Sequence, residues 1–297
     1  MTAPARTTVA APTRRSPTIS SSRKAMNNVM LGLCVAATAL TLAVLAWIFG
    51  YVLIQGARHV NLAFFTNLPA PVGEPDGGFL NALVGTAIMV GVASAIAIPI
   101  GVFAGIYLAE FGVGWLAWTV RFVNDTLNAT PSIVAGLFAY TLIVLETHRF
   151  SAFAGSVALA VLMIPTITRT TEEMIRLVPR ALREGALALG VPEWGMTLQI
   201  VLPAAASGVV TGIMLAVARV SGETAALLFT AFNNRFLSAS LNEPMSSVPV
   251  QVYTYAIAPY EDWHHQAWAG ALVLVTLVAC FSAAVRLATR NRHQSLT

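Results

Sequence analysis

The chain has 297 residues, a formal net charge of +4 and a mean hydropathy of +0.72, and only 10% of its residues are charged. Soluble domains average about 25% charged residues, so this composition excludes an ordinary soluble protein and indicates an all-α membrane protein. Cys34 and Cys280 lie in apolar runs, which is typical of small packing residues and not of a disulfide or metal pair. No nucleotide-binding loop, catalytic triad or His/Cys cluster is visible, so we expect no catalytic residue, no bound cofactor or metal, and no nucleic-acid partner.

The first 26 residues are rich in Thr, Ala, Pro and Ser and carry five basic residues. This composition predicts a disordered basic tail on the cytoplasmic side. The apolar run at 27–57 is far longer than the roughly 7–15 residues of a signal-peptide core, so we expect an uncleaved first transmembrane helix. A transmembrane domain is expected over 27–292, and residues 293–297 are expected to form a short cytoplasmic end.

Six segments are apolar enough to cross a membrane, since a spanning helix needs about 20 such residues. The second is expected to kink at Pro99, and the fifth is interrupted by Arg219 and Glu223. The six predicted spans are 29–54, 79–108, 126–145, 151–169, 204–232 and 266–285.

Basic residues are distributed unevenly between the two sides of these spans. With the N-terminus inside, the inner segments hold five basic residues in the tail and three each in the loop after the fourth span and at the C-terminal end. The outer loops hold three, Arg58, Arg149 and Arg235. The positive-inside rule therefore predicts a multi-pass membrane protein with both termini in the cytoplasm.

The loop at about 177–203 combines an acid, a small residue two positions later, a glycine at plus six and an I-x-L-P sequence from plus sixteen. Gly190 is expected to end a helix in a left-handed turn, and Pro192 suits the first position of the next helix. Two short helices bent around Gly190 are therefore predicted, and an ordinary amphipathic interfacial helix is the alternative. The residues that define this pattern are Glu184, Ala186, Gly190, Ile200, Leu202 and Pro203.

Two charges fall inside the predicted fifth span. A charge at the centre of a membrane helix costs about 2.5–3.5 kcal/mol on insertion scales, so Arg219 and Glu223 are candidates for function. Their i, i+4 spacing places them on one helix face within pairing reach. The pair is either a substrate site in which Glu223 offsets Arg219 at rest, or a structural ion pair.

A third charge, Arg169, lies at the inner end of the fourth span. Two arginines bordering one helix bundle favour an anion path, because a guanidinium can bond two oxygens of an oxyanion and keeps its charge. The alternative for Arg169 is an interfacial side chain that pairs with Glu172 or Glu173.

The loop pattern resembles the cytoplasmic EAA loop of ABC importer permeases, with Gly185 in place of the first alanine. From about residue 29 to 290, the chain resembles the permeases of phosphate ABC importers of the PstA type. The segments that carry this resemblance include Phe64-Phe65-Thr66, Pro131-Ser132-Ile133-Val134-Ala135-Gly136-Leu137-Phe138, Arg169-Thr170-Thr171-Glu172-Glu173, Gly222-Glu223-Thr224-Ala225 and Val248-Pro249-Val250-Gln251-Val252-Tyr253.

The resemblance implies the six-helix type I importer permease fold, also called MetI-like, with a cytoplasmic coupling loop. It implies a transport subunit that is not itself an enzyme and that forms half of a phosphate pore with a PstC-like second permease. Two PstB-like ATPase subunits would grip the loop and use ATP and Mg²⁺, and a PstS-like extracytoplasmic protein would deliver inorganic phosphate. The residues that match those implicated in phosphate passage are Arg169, Arg219 and Glu223.

Three other functions stay open at this point. The chain could be an ABC permease for another oxyanion, such as sulfate or molybdate, since the arginines fit those anions equally well. It could be a proton-coupled secondary transporter with Glu223 as the proton site, although such a transporter does not need the loop pattern and no internal repeat is visible. A sensory or assembly role without transport is the third.

Overall fold

The computed structural model of the protein describes residues 21–74 and 77–290. Within these ranges, helices are the only regular secondary structure, which confirms the all-α prediction. The chain divides into two compact units, Met1–Tyr51 and Val52–Thr297, and each is described by itself.

The described part of the first unit is helical and belongs to α1 (Ser21–Ala57). The helix begins within the predicted disordered tail, so that prediction is wrong for residues 21–26. These residues contain no proline or glycine and lead directly into the apolar run, so the helix extends through them. Residues 1–20 of the predicted tail and the predicted end at 293–297 lie outside the described residues.

The second unit contains the remaining helices. Three stretches with wider, π-helical turns, Tyr107–Phe111, Tyr140–Val144 and Thr197–Val201, extend or join them. In chain order the helices are α2 (Leu62–Thr66), α3 (Leu80–Ile106), α4 (Gly114–Ala129), α5 (Ser132–Ala139), α6 (Leu145–Thr147), α7 (Ala152–Arg176), α8 (Arg180–Ala188), α9 (Glu193–Met196), α10 (Leu202–Ser221), α11 (Ala225–Leu228), α12 (Val248–Ala256) and α13 (Glu261–Arg290).

Five helices in the described part of the chain are long and apolar enough to cross a membrane, and a bent pair makes six if it counts as one span. That pair, Gly114–Ala129 and Ser132–Thr147, bends by 107°. The single helix predicted at 126–145 is therefore wrong. Pro131 disfavours a helical conformation for Thr130, whose φ of −71° and ψ of 130° are extended.

The fifth predicted span, 204–232, also differs from the structure. Helix α10 ends at Ser221, and Gly222 forms its C-cap. Glycine is a poor helix former, and the Glu223 carboxylate accepts hydrogen bonds from the N–H groups of Ala225 and Ala226. This local bonding competes with continuation of the helix and starts the short α11 instead.

Helix α7 is the centre of the second unit, since 67% of the most apolar 18-residue stretch of this helix is buried. It packs closely on α3 because α3 presents glycines at the contact. A Cβ added at Gly101 would lie 2.8 Å from Cβ of Ile167, and one added at Gly105 would lie 2.5 Å from Cβ of Thr171. This fit leaves no room for a larger residue, so α3 and α7 form a tightly packed helix pair.

Candidate functional site

The predicted bend at Gly190 is confirmed, and we call residues 177–203 the elbow. Helix α8 ends at Ala188, and Gly190 adopts a left-handed conformation with φ of +79°. The Gly190 N–H bonds the Leu187 carbonyl at 2.9 Å, and the Val191 N–H bonds the Ala186 carbonyl at 3.2 Å. These two bonds form a Schellman motif, which satisfies carbonyls that the end of α8 would otherwise leave unbonded.

An apolar cluster seats the elbow on the ends of the transmembrane helices. Ala186 is buried, whereas Leu182, Leu189 and Trp194 are exposed by 46%, 86% and 63%. Helix α8 therefore holds one small residue inward, and the elbow presents other, large apolar side chains outward. The buried members of the cluster are Ile106, Ile175, Val178, Ala186, Met196, Val201, Ala205 and Val209.

The other residues of the loop pattern surround this contact. Ile200 and Leu202 are partly buried against the same cluster. Pro203 lies where the π-helical turn Thr197–Val201 passes into α10. Glu184 is exposed on α8. The structure thus brings the elbow residues together, and their role in gripping an ATPase stays a prediction.

Arg183 ties the elbow to two transmembrane helices, a function that the sequence pattern did not reveal. Its Nη2 donates to Oε1 of Glu110 at 2.7 Å and to the carbonyl of Ile175 at 2.8 Å. Its Nη1 donates to the carbonyl of Val178 at 2.5 Å. Glu110 lies in the π-helical turn that follows α3, 73 residues away in the chain. Such a distant partner cannot be identified from spacing alone.

A second ion-pair network lies near the C-terminal end of α7, close to the carbonyl of Ile175 that Arg183 bonds. Glu172 is bonded by Nε of Arg121 at 2.9 Å and by Nη2 of Arg176 at 2.6 Å. Arg121 also donates to the carbonyl of Leu108 at 2.8 Å. The network therefore connects α4, α7 and the turn after α3.

Arg169 is exposed and already paired. Its Nε contacts Oε1 of Glu173 at 2.5 Å, and its Nη1 lies 3.5 Å from Oδ1 of Asp125. The structure therefore shows the pairing with Glu173 that the sequence left open as an alternative. The side chains of Arg169, Glu173 and Asp125 are each exposed by 50–62%. Solvent-exposed ion pairs are weak, so an anion could compete for the guanidinium.

The predicted pair between Arg219 and Glu223 does not form. Because α10 ends at Ser221, Glu223 does not follow Arg219 on one helix face, and its carboxylate accepts from the N–H of Ala225 at 3.1 Å. Arg219 is exposed and makes no ion pair within residues 21–74 and 77–290. The interpretation of Glu223 as a resting counter-ion is therefore wrong for this conformation.

Arg169 and Arg219 lie at different depths of one helix pair. Cβ atoms added at Gly208 and Gly212 of α10 would meet Met174 and Thr170 of α7, so the two helices run antiparallel. Arg219 follows Gly212 by seven residues, which places it roughly 10 Å along α10 from the level of Thr170. The two arginines therefore lie at different levels of the α7–α10 pair.

The elbow lies between α7 and α10 in the chain and packs on the ends of apolar helices that are long enough to cross a membrane. The family model described as "Binding-protein-dependent transport system inner membrane component" matches residues 97–293, and the chain belongs to this family. It is a multi-pass membrane protein and a transport subunit, not an enzyme.

Curated relatives place the chain among the PstA-type permeases of that family. It is 46% identical over 267 residues to the phosphate transport system permease protein PstA of Haemophilus influenzae, covering 89% of this chain and 94% of that one. It is 43% identical over 266 residues to the PstA protein of Yersinia pestis, covering 89% and 90%.

Solved structures of importers share the fold. A chain of the MetNI methionine ABC transporter in an inward-facing conformation matches with a TM-score of 0.58 and 17% identity, covering 74% of this chain and 96% of that chain. A chain of an amino acid ABC transporter solved with histidines matches with a TM-score of 0.56 and 15% identity, covering 72% and 93%. The predicted MetI-like type I permease fold is confirmed.

Proposed function

We propose that this chain is the membrane permease subunit of an ATP-driven importer of inorganic phosphate and that it forms half of the translocation pore. The bend of the elbow at Gly190 is the observation that carries this proposal. It presents exposed apolar side chains to which a separate ATPase subunit can bind. The names of relatives that are more than 40% identical over most of the chain support phosphate as the substrate.

The proposed partners follow from this role. Two PstB-like ATPase subunits bind ATP and Mg²⁺, and this chain binds neither. One of them receives the elbow through Glu184 and the exposed leucines and tryptophan. A PstC-like permease forms the other half of the pore, and a PstS-like protein delivers phosphate from outside.

Arg219 is proposed as a transient phosphate contact. It is a permanent cation near the end of α10, it is exposed, and no carboxylate of residues 21–74 or 77–290 forms an ion pair with it. Arg169 lies about 10 Å away along the helix pair and is the next phosphate contact in this proposal. Glu173 and Asp125 form ion pairs with its guanidinium again when the anion leaves. Glu223 acts in this scheme by fixing the start of α11 and hence the end of α10.

We propose that the elbow and both termini lie in the cytoplasm, on the basis of the basic residues already counted. The test places single cysteines at Ser22 and Gly73 in a background with Cys34 and Cys280 replaced by serine. An impermeant thiol reagent applied to intact cells should label the cysteine at Gly73 and leave that at Ser22 unlabelled. Strong labelling at Ser22 would reverse the orientation.

The proposed function is tested by uptake into proteoliposomes that contain the complete complex. We expect uptake of radioactive phosphate that requires enclosed ATP and the binding protein, and that a tenfold excess of sulfate or molybdate does not reduce. Strong competition by sulfate or molybdate would favour the permease for another oxyanion. Phosphate uptake that continues without ATP would favour the secondary transporter.

A further inference from the structure

The ion pair between Glu110 and Arg183 is sheltered from solvent on both sides. The exposed fractions are 8% for the Glu110 side chain and 18% for Arg183. In the other ion pairs found in the described ranges, at least one side chain is exposed by 34% or more. Solvent and salt screen a sheltered pair less, so this pair fixes its two helices more firmly than the others.

Two of the three groups that Arg183 bonds belong to the tightly packed helix pair, and the third is the carbonyl of Val178 just beyond it. Glu110 continues α3, and Ile175 is in the last turn of α7, where the helix dipole favours a cation. Since Gly101 and Gly105 leave no slack between α3 and α7, a displacement of Arg183 acts on both helices at once.

Little else fixes the orientation of α8. Ala186 is its only buried residue, so the apolar contact rests on one methyl group. A methyl group can slide or rotate on an apolar surface, whereas hydrogen bonds restrict both distance and angle. The bonds of Arg183 therefore restrict the orientation of α8 more than this apolar contact does.

We infer that Glu110 and Arg183 are positioning residues that form the joint through which movement of the elbow reaches α3 and α7. This inference rests on the proposed function and adds the mechanical connection to it. The pair touches neither substrate nor nucleotide, and its loss should uncouple ATP hydrolysis from transport without releasing the ATPase.

The test compares variants of the complete complex in proteoliposomes. Glu110→Gln combined with Arg183→Gln removes both charges together, so no charge is left buried without a partner. Arg180→Gln is the matched control, because Arg180 is an exposed arginine at the start of the same helix with no hydrogen bond or ion pair in the part of the chain that the structure describes. The readouts are ATPase retained per permease, ATP hydrolysed and phosphate imported.

The double variant should retain the ATPase and keep hydrolysing ATP, while phosphate import falls about tenfold. The number of ATP molecules hydrolysed per phosphate should therefore rise about tenfold, a ratio that a merely structural role would not change. Arg180 is an exposed residue of the elbow, so Arg180→Gln can alter ATPase retention, but its ratio of ATP hydrolysed to phosphate imported should stay within twofold of wild type. If the double variant is absent from the membrane, Arg183→Lys is used instead, because it keeps the positive charge but loses the guanidinium group. The ratio of ATP hydrolysed to phosphate imported is then measured on that variant.

Two results would overturn the inference. One is an assembled variant whose ATP-to-phosphate ratio stays within twofold of wild type, which would leave the pair as scaffold. The other is loss of the ATPase from an otherwise intact permease, which would assign the pair to docking. Neither is confused with failure of the proposed function, because that failure would appear as absent ATP-dependent phosphate uptake in the wild-type complex.

Discussion

Replacing Gly190 with valine tests whether the elbow must be bent for coupling. The glycine has φ of +79°, and a Cβ added there would meet no atom within 4 Å. The cost of the substitution is therefore conformational and not steric. A left-handed backbone costs an ordinary residue roughly 1–2 kcal/mol, and valine is worse than average because its Cβ is branched.

That cost can be compared with what holds the bend. Straightening the chain would sacrifice the bonds from Gly190 to Leu187 and from Val191 to Ala186, each worth about 0.5–1.5 kcal/mol. A strain of the same size makes the bent and straightened elbows comparable in free energy. The equilibrium ratio of bent to straightened elbow should then fall by a factor of about 5–30, which leaves about half of the molecules or fewer bent.

The assay is ATP hydrolysis stimulated by the phosphate-loaded binding protein, measured on complexes in proteoliposomes. Gly190→Val should insert normally but lose about half of the stimulation or more. Gly190→Asn should stay near wild type, because asparagine tolerates the left-handed region. Gly185→Ala, a substitution in open space within α8, should be harmless or stabilise that helix by up to about 1 kcal/mol. Normal stimulation in an assembled Gly190→Val complex would refute the reasoning.

Two further predictions concern the membrane helices. Gly105→Ala would place a Cβ 2.5 Å from Cβ of Thr171 and should destabilise the purified permease by about 1–3 kcal/mol, measured as a lower unfolding temperature. Gly91→Ala on the same helix meets no atom within 4 Å and should leave the unfolding temperature unchanged. Arg219→Gln should assemble normally, because it breaks no ion pair of the described residues, yet it should import at least tenfold less phosphate. Glu223→Gln should import nearly as much phosphate as wild type, since the amide oxygen can still accept from the α11 backbone. Near-normal uptake by Arg219→Gln would remove Arg219 from the path.

The elbow shows how far local sequence can determine structure. Glycine at position 190 permits the left-handed turn, and proline at 192 precedes α9, so the bend followed from residues within one short stretch. The third span shows the opposite. Pro131 was visible, but hydropathy alone suggested one straight helix and gave no indication of a 107° bend.

The charged residues show the same limit. Glu223 was paired with Arg219 on the assumption that α10 continued, and the helix instead stopped at Gly222. An i, i+4 argument holds only while the helix continues, and here Gly222 and the bonds from Glu223 to the nearby backbone end it.

The sequence by itself determined the membrane class, the six apolar segments and the elbow, because hydrophobicity, glycine conformation and proline chemistry act within a few residues. Only the tertiary structure decided which charges meet. Arg183 finds Glu110 across 73 residues because α3 and α7 pack through glycines and bring their ends beside α8. A contact of that kind depends on how several helices pack together, and the spacing of residues along one helix does not contain it.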